Sequence, residues 1–334
     1  MHEEPRHERL LWEPACYEHK ARLIGKAPFE VARSADLLAR AVLEERRLYQ
    51  PDFLTVGIDV YNVEAEACGA ALHDAGPMAC PELAGAIFSL DALPRGLALP
   101  AVPGAGRFGM LLEAGARVRD AVGAAAKVRV GITGPLSLAA KLAGLEPVIM
   151  GLAEGNEPAS RLLEFSTALG EAWAGALQRA GLDGIVFDSI ASPPIISPAM
   201  YARCILPLHK RLLGALEKGG QAERALVIGG RTAALAKDLV AADATMLVCD
   251  FPADARAFAA ALPGAPRVRV RRNVNPAVLA GPAADLRAAA QGLANDLRLF
   301  ALPVAGTGIL PYDTEPSRVQ TFHRLVLEAW AAGR

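Results

Sequence analysis

Cysteine is scarce in this chain. Its five cysteines, Cys16, Cys68, Cys80, Cys204 and Cys249, are scattered with no C-x-x-C pair among them. That pattern argues against a disulfide framework or a zinc ribbon and leaves reduced, buried thiols as the expectation. A dominant charge is missing too: 35 basic residues stand against 36 acidic ones, for a net charge of −1. Such a balance gives no global attraction to nucleic acid or to an anionic membrane, while leaving room for a local basic patch that suits a small acid. Long apolar runs are also lacking, since none approaches the roughly 18 residues of a membrane span. The opening segment, Met1-His2-Glu3-Glu4-Pro5-Arg6, is charged and has no apolar stretch of the secretory kind, so a cytoplasmic location is expected.

What the chain does have is a large apolar share, 52% of 334 residues, enough for an extensive core. It also has a recurring unit, in which a short apolar run ends in a Gly, Pro or polar cluster and is followed by an Ala/Leu/Arg-rich helical stretch. The candidate strands are residues 53–59, 85–90, 128–133, 184–188, 225–229, 246–250, 268–271 and 302–306. Near-continuous apolar strands alternating with amphipathic helices describe a parallel sheet covered by helices, and eight such units favour a closed barrel over an open doubly wound sheet. The expected fold is therefore α/β, a single (β/α)8 TIM barrel over residues 51–334 with an N-terminal helical extension over residues 1–50. Helix punctuation agrees. Ser197-Pro198 and Asn275-Pro276 read as an N-cap followed by Pro, Gly181 closes a helix, and Pro207 should kink or break the helical stretch around it.

In such barrels the reactive groups sit where strands end and βα loops begin. Those ends read Gly57-Ile58-Asp59-Val60-Tyr61-Asn62, Gly131-Ile132-Thr133-Gly134-Pro135, Phe187-Asp188-Ser189, Gly229-Gly230-Arg231-Thr232, Cys249-Asp250-Phe251-Pro252, Arg271-Arg272-Asn273-Val274-Asn275-Pro276 and Gly306-Thr307-Gly308. A mouth with carboxylates on one side and guanidinium groups on the other suits a polyacidic ligand, with arginines holding carboxylates and an Asp handling a proton or a developing positive charge. Period-2 alternation puts Val268 and Val270 on one face and Arg267, Arg269 and Arg271 on the other. At least two of those arginines are expected to pair with helix carboxylates outside the barrel, leaving Arg272 or Asn273 for the pocket.

Several blocks, in order, carry a resemblance. Val56-Gly-Ile-Asp-Val-Tyr-Asn-Val-Glu-Ala-Glu-Ala-Cys-Gly69 resembles the first-strand motif of the uroporphyrinogen decarboxylase superfamily. Ile132-Thr-Gly-Pro-Leu-Ser-Leu-Ala139 is similar to its Gly-Pro loop. Phe187-Asp-Ser-Ile-Ala191, Ile196-Ser-Pro-Ala-Met-Tyr201 and Pro207 resemble its Phe-Asp-Ser … Ser-Pro-x-x-Tyr … Pro signature. Asn273-Val-Asn-Pro276 and Gly306-Thr-Gly-Ile-Leu-Pro311 resemble two late blocks. The resemblance implies either a decarboxylase without a cofactor, acting on tetrapyrrole acetate arms, or a zinc methyltransferase working with a corrinoid protein. It also implies a capacity to dimerise.

The family's His-x-Cys positions fall on Ile228 and Gly230 and its late Cys on Thr307, so no metal and no cofactor is expected. The N-terminal Arg-Gln-Ala-Gly-Arg-Tyr motif is absent, the Gly-Pro-loop tyrosine falls on Lys141, and the late Gly-His-Gly histidine falls on Thr307. Asp59 is the expected catalytic residue, stabilising a cationic intermediate, with Asn62, Glu64, Lys141, Asp188, Ser189, Arg231, Arg272, Asn273 and Thr307 as substrate-binding residues. Plainer roles compete: Asp59 could cap a loop, Glu64 could meet a helix dipole, Asp188 and Ser189 could satisfy turn amides, and Arg231 could form a flanking salt bridge. The expected activity is decarboxylation of a polycarboxylate such as a tetrapyrrole. Alternatives are a corrinoid-linked methyltransferase, motivated by Glu64-x-Glu66, and a barrel that binds a ligand without chemistry.

Overall fold

The computed structural model describes residues 9–262 and 268–333, so residues 1–6 and Arg267 lie outside it. Eight parallel strands form one sheet: β1 (Leu11–Ala15), β2 (Phe53–Val56), β3 (Lys127–Thr133), β4 (Asp183–Phe187), β5 (Ala225–Val227), β6 (Met246–Cys249), β7 (Arg269–Val274) and β8 (Leu302–Ile309). Pairing follows chain order from β2 to β8, and β8 then pairs with β1. Asp52 completes the ring: its N–H donates to the Trp12 carbonyl at 2.9 Å, and its carboxylate accepts from the Trp12 N–H at 2.8 Å. The architecture is the expected (β/α)8 barrel.

One strand differs from the expectation. Residues 85–90 contain no barrel strand, and the missing member is β1, inside the stretch expected to be a helical extension. That stretch does contain helices, Glu18–Leu23, Pro28–Ala32 and Ala35–Tyr49, but it also supplies β1. Pro14 obscures β1 in the sequence because proline breaks a regular ladder. Here the register slips between Glu13 and Ala15, and the irregularity absorbs it.

Punctuation at helix ends follows the sequence more closely. Ser34 caps Ala35–Tyr49 by accepting from Leu37 N at 3.2 Å, and Ser197 accepts from Met200 N at 3.2 Å ahead of Pro198. The chain then passes through a π-helical turn at Tyr201–Ile205 before the α-helix Leu206–Lys218, with Pro207 in its first turn. Gly181 takes the left-handed conformation (φ +69°) that ends the helix Glu157–Arg179 and lets the chain turn into β4.

Side-chain parity along the strands decides what reaches the mouth. Phe53, Ile185, Phe187, Ala225, Met246 and Val304 form a cluster inside the barrel, while Val186, Leu226, Leu247, Cys249 and Val270 pack outward in the helix-covered core. Between β2 and β3 the chain makes a long excursion through the short ribbon Leu72–His73/Glu82–Leu83 to the helix Phe108–Val122. Among the described residues no single helix is long and apolar enough to cross a membrane.

Candidate active site

Parity sorts the strand-end residues into two groups. Asp250 is in phase with inward-facing Met246, and Asn273 is in phase with Arg271, so both turn toward the barrel axis. Asn273 Nδ2 donates to Asp250 Oδ1 at 3.0 Å, and the amide of Gly230 reaches Asp250 Oδ2 at 3.4 Å. Asn273 Oδ1 is buried without a hydrogen-bond partner among the described residues. Gly306 makes room for this pair, because a Cβ there would stand 2.5 Å from Asn273 Oδ1 and 2.9 Å from Arg271 Cγ. Across the opening, Tyr61 and Tyr17 lean edge-on against Phe187 with centroids 6.0 and 6.1 Å away. Burial pushes the Tyr61 hydroxyl up to about 12; Ser189 and Arg271 pull the other way, and Asp188 and Asp250 add to the rise.

A charged layer lies beneath this opening. Glu13 Oε1 accepts from Arg129 Nη2 at 2.6 Å and from Arg271 Nη1 at 2.5 Å, and Glu223 approaches Arg129 at 3.6 Å and Arg269 at 3.3 Å. Arg129 is fully buried, with its guanidinium 4.6 Å from the Phe53 ring centroid. Three guanidinium groups against two carboxylates leave an excess positive charge under the mouth. The β7 arginines therefore point opposite to the expectation. Arg269 and Arg271 face inward because interior carboxylates meet them, and Arg272 faces outward, where it pairs with Asp296 at 2.9 Å and donates to Asp250 O at 2.6 Å and Ala253 O at 3.0 Å.

The other expected site residues scatter. Both oxygens of buried Asp59 are taken by Arg107, at 2.8 and 2.7 Å, and Arg107 also pairs with Glu66 and donates to Ala32 O at 2.9 Å. Asn62 spans Asp59 (3.4 Å) and the carbonyl of Pro81 (2.7 Å), fastening the excursion to the end of β2. Glu64 is fully buried and accepts from Thr133 N at 2.7 Å and Thr133 Oγ1 at 2.5 Å; burial pushes its carboxyl up to about 7. Asp188, in phase with outward Val186, accepts from the amides of Leu136 (3.1 Å) and Ser137 (2.7 Å) at the start of the helix Pro135–Ala143. Asp188 also meets His209 Nε2 at 2.8 Å, and His209 Nδ1 lies 2.9 Å from the Tyr201 hydroxyl, all three residues being fully buried.

Thr307 Oγ1 accepts from Ala15 N at 3.1 Å and stitches β8 to irregular β1. Lys141 is exposed in the last turn of its helix, and no hydrogen bond or ion pair among the described residues joins it to the mouth cluster. Arg231 is exposed immediately after Gly230 and makes no hydrogen bond or ion pair among the described residues.

The mouth thus brings together Ser189 and Asn273 from the expected set, with Arg231 following directly on Gly230, whose amide reaches Asp250. It adds Asp250, Arg271, Tyr17 and Tyr61, which the sequence did not single out. Asp250 and Tyr61 stood in the strand-end segments, and their parity was the usable signal. Arg107 carried none, being 48 residues from Asp59. The zinc site of the methyltransferase branch does not fit. Ile228, Gly230 and Thr307 offer neither imidazole nor thiolate, and no three His, Cys, Asp or Glu residues gather as metal ligands among the described residues.

Comparison with known proteins places this geometry. The family model described as Uroporphyrinogen decarboxylase (URO-D) matches residues 14–328. A methyltransferase from Methanosarcina mazei superposes with a TM-score of 0.81 at 20% identity, covering 99% of this chain and 95% of that one. A candidate vitamin-B12-independent methionine synthase from Listeria monocytogenes superposes at 0.53 with 11% identity, covering 98% of each chain. At these identities the likeness speaks for the fold. No curated protein matches the sequence.

Proposed function

The chain belongs to the uroporphyrinogen decarboxylase family, and from that premise we propose that it is a carboxy-lyase acting on an acidic small molecule with a ring nitrogen, such as a tetrapyrrole. The observation that carries this reading is the composition of the mouth. Asp250 and Asn273 present acceptors beside Arg271, and exposed Arg231, with no partner among the described residues, follows the Gly230 amide that reaches Asp250.

Loss of carbon dioxide leaves an electron pair that needs a sink. A ring protonated at carbon, with its iminium nitrogen facing Asp250, provides one: the C–C bond to the departing carboxylate breaks, its electrons neutralise the iminium, a proton then adds to the carbon left behind, and the ring carbon releases the proton it took up. Arg231 would grip a carboxylate that does not react. Asp59 drops out of the central role because Arg107 occupies both of its oxygens, and it instead anchors the excursion after β2. Incubation with uroporphyrinogen and measurement of released carbon dioxide tests the reading; no release, with no shift in melting temperature on addition of the tetrapyrrole, argues against it.

Methyl transfer is the second reading, favoured by the names of both structural neighbours. Glu64, which motivated it in the sequence, is committed to Thr133. Demethylation of methylcobalamin by the protein would support it. A barrel that binds without chemistry is the third reading, and any turnover lost in Asp250→Asn removes it.

A further inference from the structure

β1 and β2 stand at the two ends of the hydrogen-bonded sheet order, so beyond the Asp52–Trp12 contact no ladder joins them among the described residues. β1 is also irregular at Pro14. The two strands part above that point, and a small, partly open cavity lies between them. Its walls include Glu13, Cys16, Tyr17, Lys20, Glu45 and Arg271, and it has space for about one water molecule.

Three of these residues carry a buried polar atom with no hydrogen-bond partner among the described residues: Glu13 Oε2, Glu45 Oε2 and Arg271 Nε. Lys20 does not fill the need. Its ammonium donates to Thr55 O at 2.8 Å and Gly57 O at 3.2 Å, and stays 3.6 Å from Glu45 Oε2. Buried polar atoms are rarely left unmatched, and a cavity of this size lined by two acceptors and a donor suits an ordered water.

We propose that this cavity binds one ordered water and one exchangeable proton between Glu45 and Glu13, coupling the outer Lys20–Glu45 pair to Arg271 beneath the mouth. The groups that face Glu45 are Lys20 and Cys16 from the segment after β1, Glu13 from β1 and Tyr49 from its own helix, with Arg271 across the cavity. Glu13 is already held by Arg129 and Arg271, whereas buried Glu45 has only the Lys20 ammonium at 3.6 Å, so Glu45 is the carboxylate that gains by holding a proton. Burial pushes Glu45 up to about 7; Lys20 opposes the rise and Glu13 adds to it. When Glu45 is neutral, Lys20 is less compensated and the potential under the mouth is more positive, so an anion at the mouth is held more tightly. Ionisation of Glu45 weakens that hold. This last consequence rests on the mouth being an anion site; the water and the proton do not.

Cys16 lines the same cavity, its thiol pushed up by burial and by the Glu45 carboxylate, and is a built-in reporter. Its S–H stretch is followed by infrared spectroscopy of the intact chain from acid to alkaline pH, with Cys16→Ala assigning the band. The expected result is a band that shifts with a midpoint near pH 7, becomes pH-independent in Glu45→Gln, and moves to a lower midpoint in Glu13→Gln. A band indifferent to pH, or one that still titrates in Glu45→Gln, overturns the proton site. A midpoint unchanged by Glu13→Gln overturns the coupling. Should that variant not fold, Glu13→Asp, which withdraws the carboxylate from the cavity, serves in its place with the same expected direction. Binding of uroporphyrinogen across the same pH range is a separate arm. Affinity that ignores pH while the Cys16 band titrates contradicts the reading of the mouth and leaves the proton site standing.

Discussion

Arg107 closes on Asp59 with two parallel hydrogen bonds, Nη1 to Oδ1 at 2.8 Å and Nη2 to Oδ2 at 2.7 Å, both side chains being buried. The pair joins the end of β2 to the start of the helix Phe108–Val122 and closes the long excursion between them. It is a bidentate, desolvated ion pair, so removing one partner strands the other charge in a poorly solvated place. Asp59→Asn is expected to destabilise the fold by about 3–5 kcal/mol in chemical denaturation. The double change Asp59→Asn/Arg107→Met should recover part of that loss. An Asp59→Asn protein as stable as wild type would mean that the pair does not hold the excursion.

Gly134 sits where Asp188 packs. A Cβ at this position would lie 2.4 Å from Asp188 Cβ and 2.6 Å from Asp188 Cγ. Neither neighbour can retreat easily, because Asp188 is held by two helix amides and by His209. Gly134→Ala should therefore cost about 1–3 kcal/mol or more and lower the melting temperature. Asp188→Asn is expected to act in the same direction by weakening the cap on the helix Pro135–Ala143.

Glu64 gives the fold a pH dependence of defined sign. Its folded value of about 7 lies above the ordinary 4.5, so the folded chain binds this proton more tightly than the unfolded one. The contribution is complete below the ordinary value and is lost as pH rises toward 7, at up to about 1.4 kcal/mol per pH unit. Glu45 adds a slope of the same sign. Glu64→Gln, which retains an acceptor for Thr133 N, should flatten the decline in melting temperature across that window. An unchanged decline in both Glu64→Gln and Glu45→Gln would contradict the burial argument.

The two arginines expected at the mouth should separate by phenotype. Arg231 is exposed and unpaired among the described residues, so Arg231→Ala should leave stability within about 0.5 kcal/mol while weakening binding of a polycarboxylate, most visibly at low salt. Arg272 ties Asp296 to the carbonyls of Asp250 and Ala253. Arg272→Ala should cost about 2–3 kcal/mol in stability. Thermal melts with and without uroporphyrinogen read out both effects.

The barrel was legible in the sequence because most of its strands are short apolar runs ending in Gly, Pro or polar clusters and followed by helical stretches, and the ordered motifs agreed with them. β1 was not, because Glu13 and Pro14 in a five-residue strand erase both the apolar run and the alternation. The site was harder to read for a related reason. Strands such as Asp183–Phe187 and Met246–Cys249 are apolar on both faces, so nothing local says that Asp188 turns outward and Asp250 inward. In β7 the alternation was plain, yet the side meeting the arginines was fixed by Glu13 and Glu223, which are distant in sequence. Charged barrel interiors invert the usual assumption that the apolar face is the inner one.

On the proposed function, the mouth built on Asp250 performs the chemistry and the Asp59–Arg107 pair does not. The direct measurement is carbon dioxide released from uroporphyrinogen by the wild-type chain and by Asp250→Asn, with circular dichroism confirming that both are folded. Release by the wild type that disappears in Asp250→Asn is the predicted result. A folded Asp250→Asn protein releasing carbon dioxide at the wild-type rate, or a wild-type chain releasing none, would contradict it.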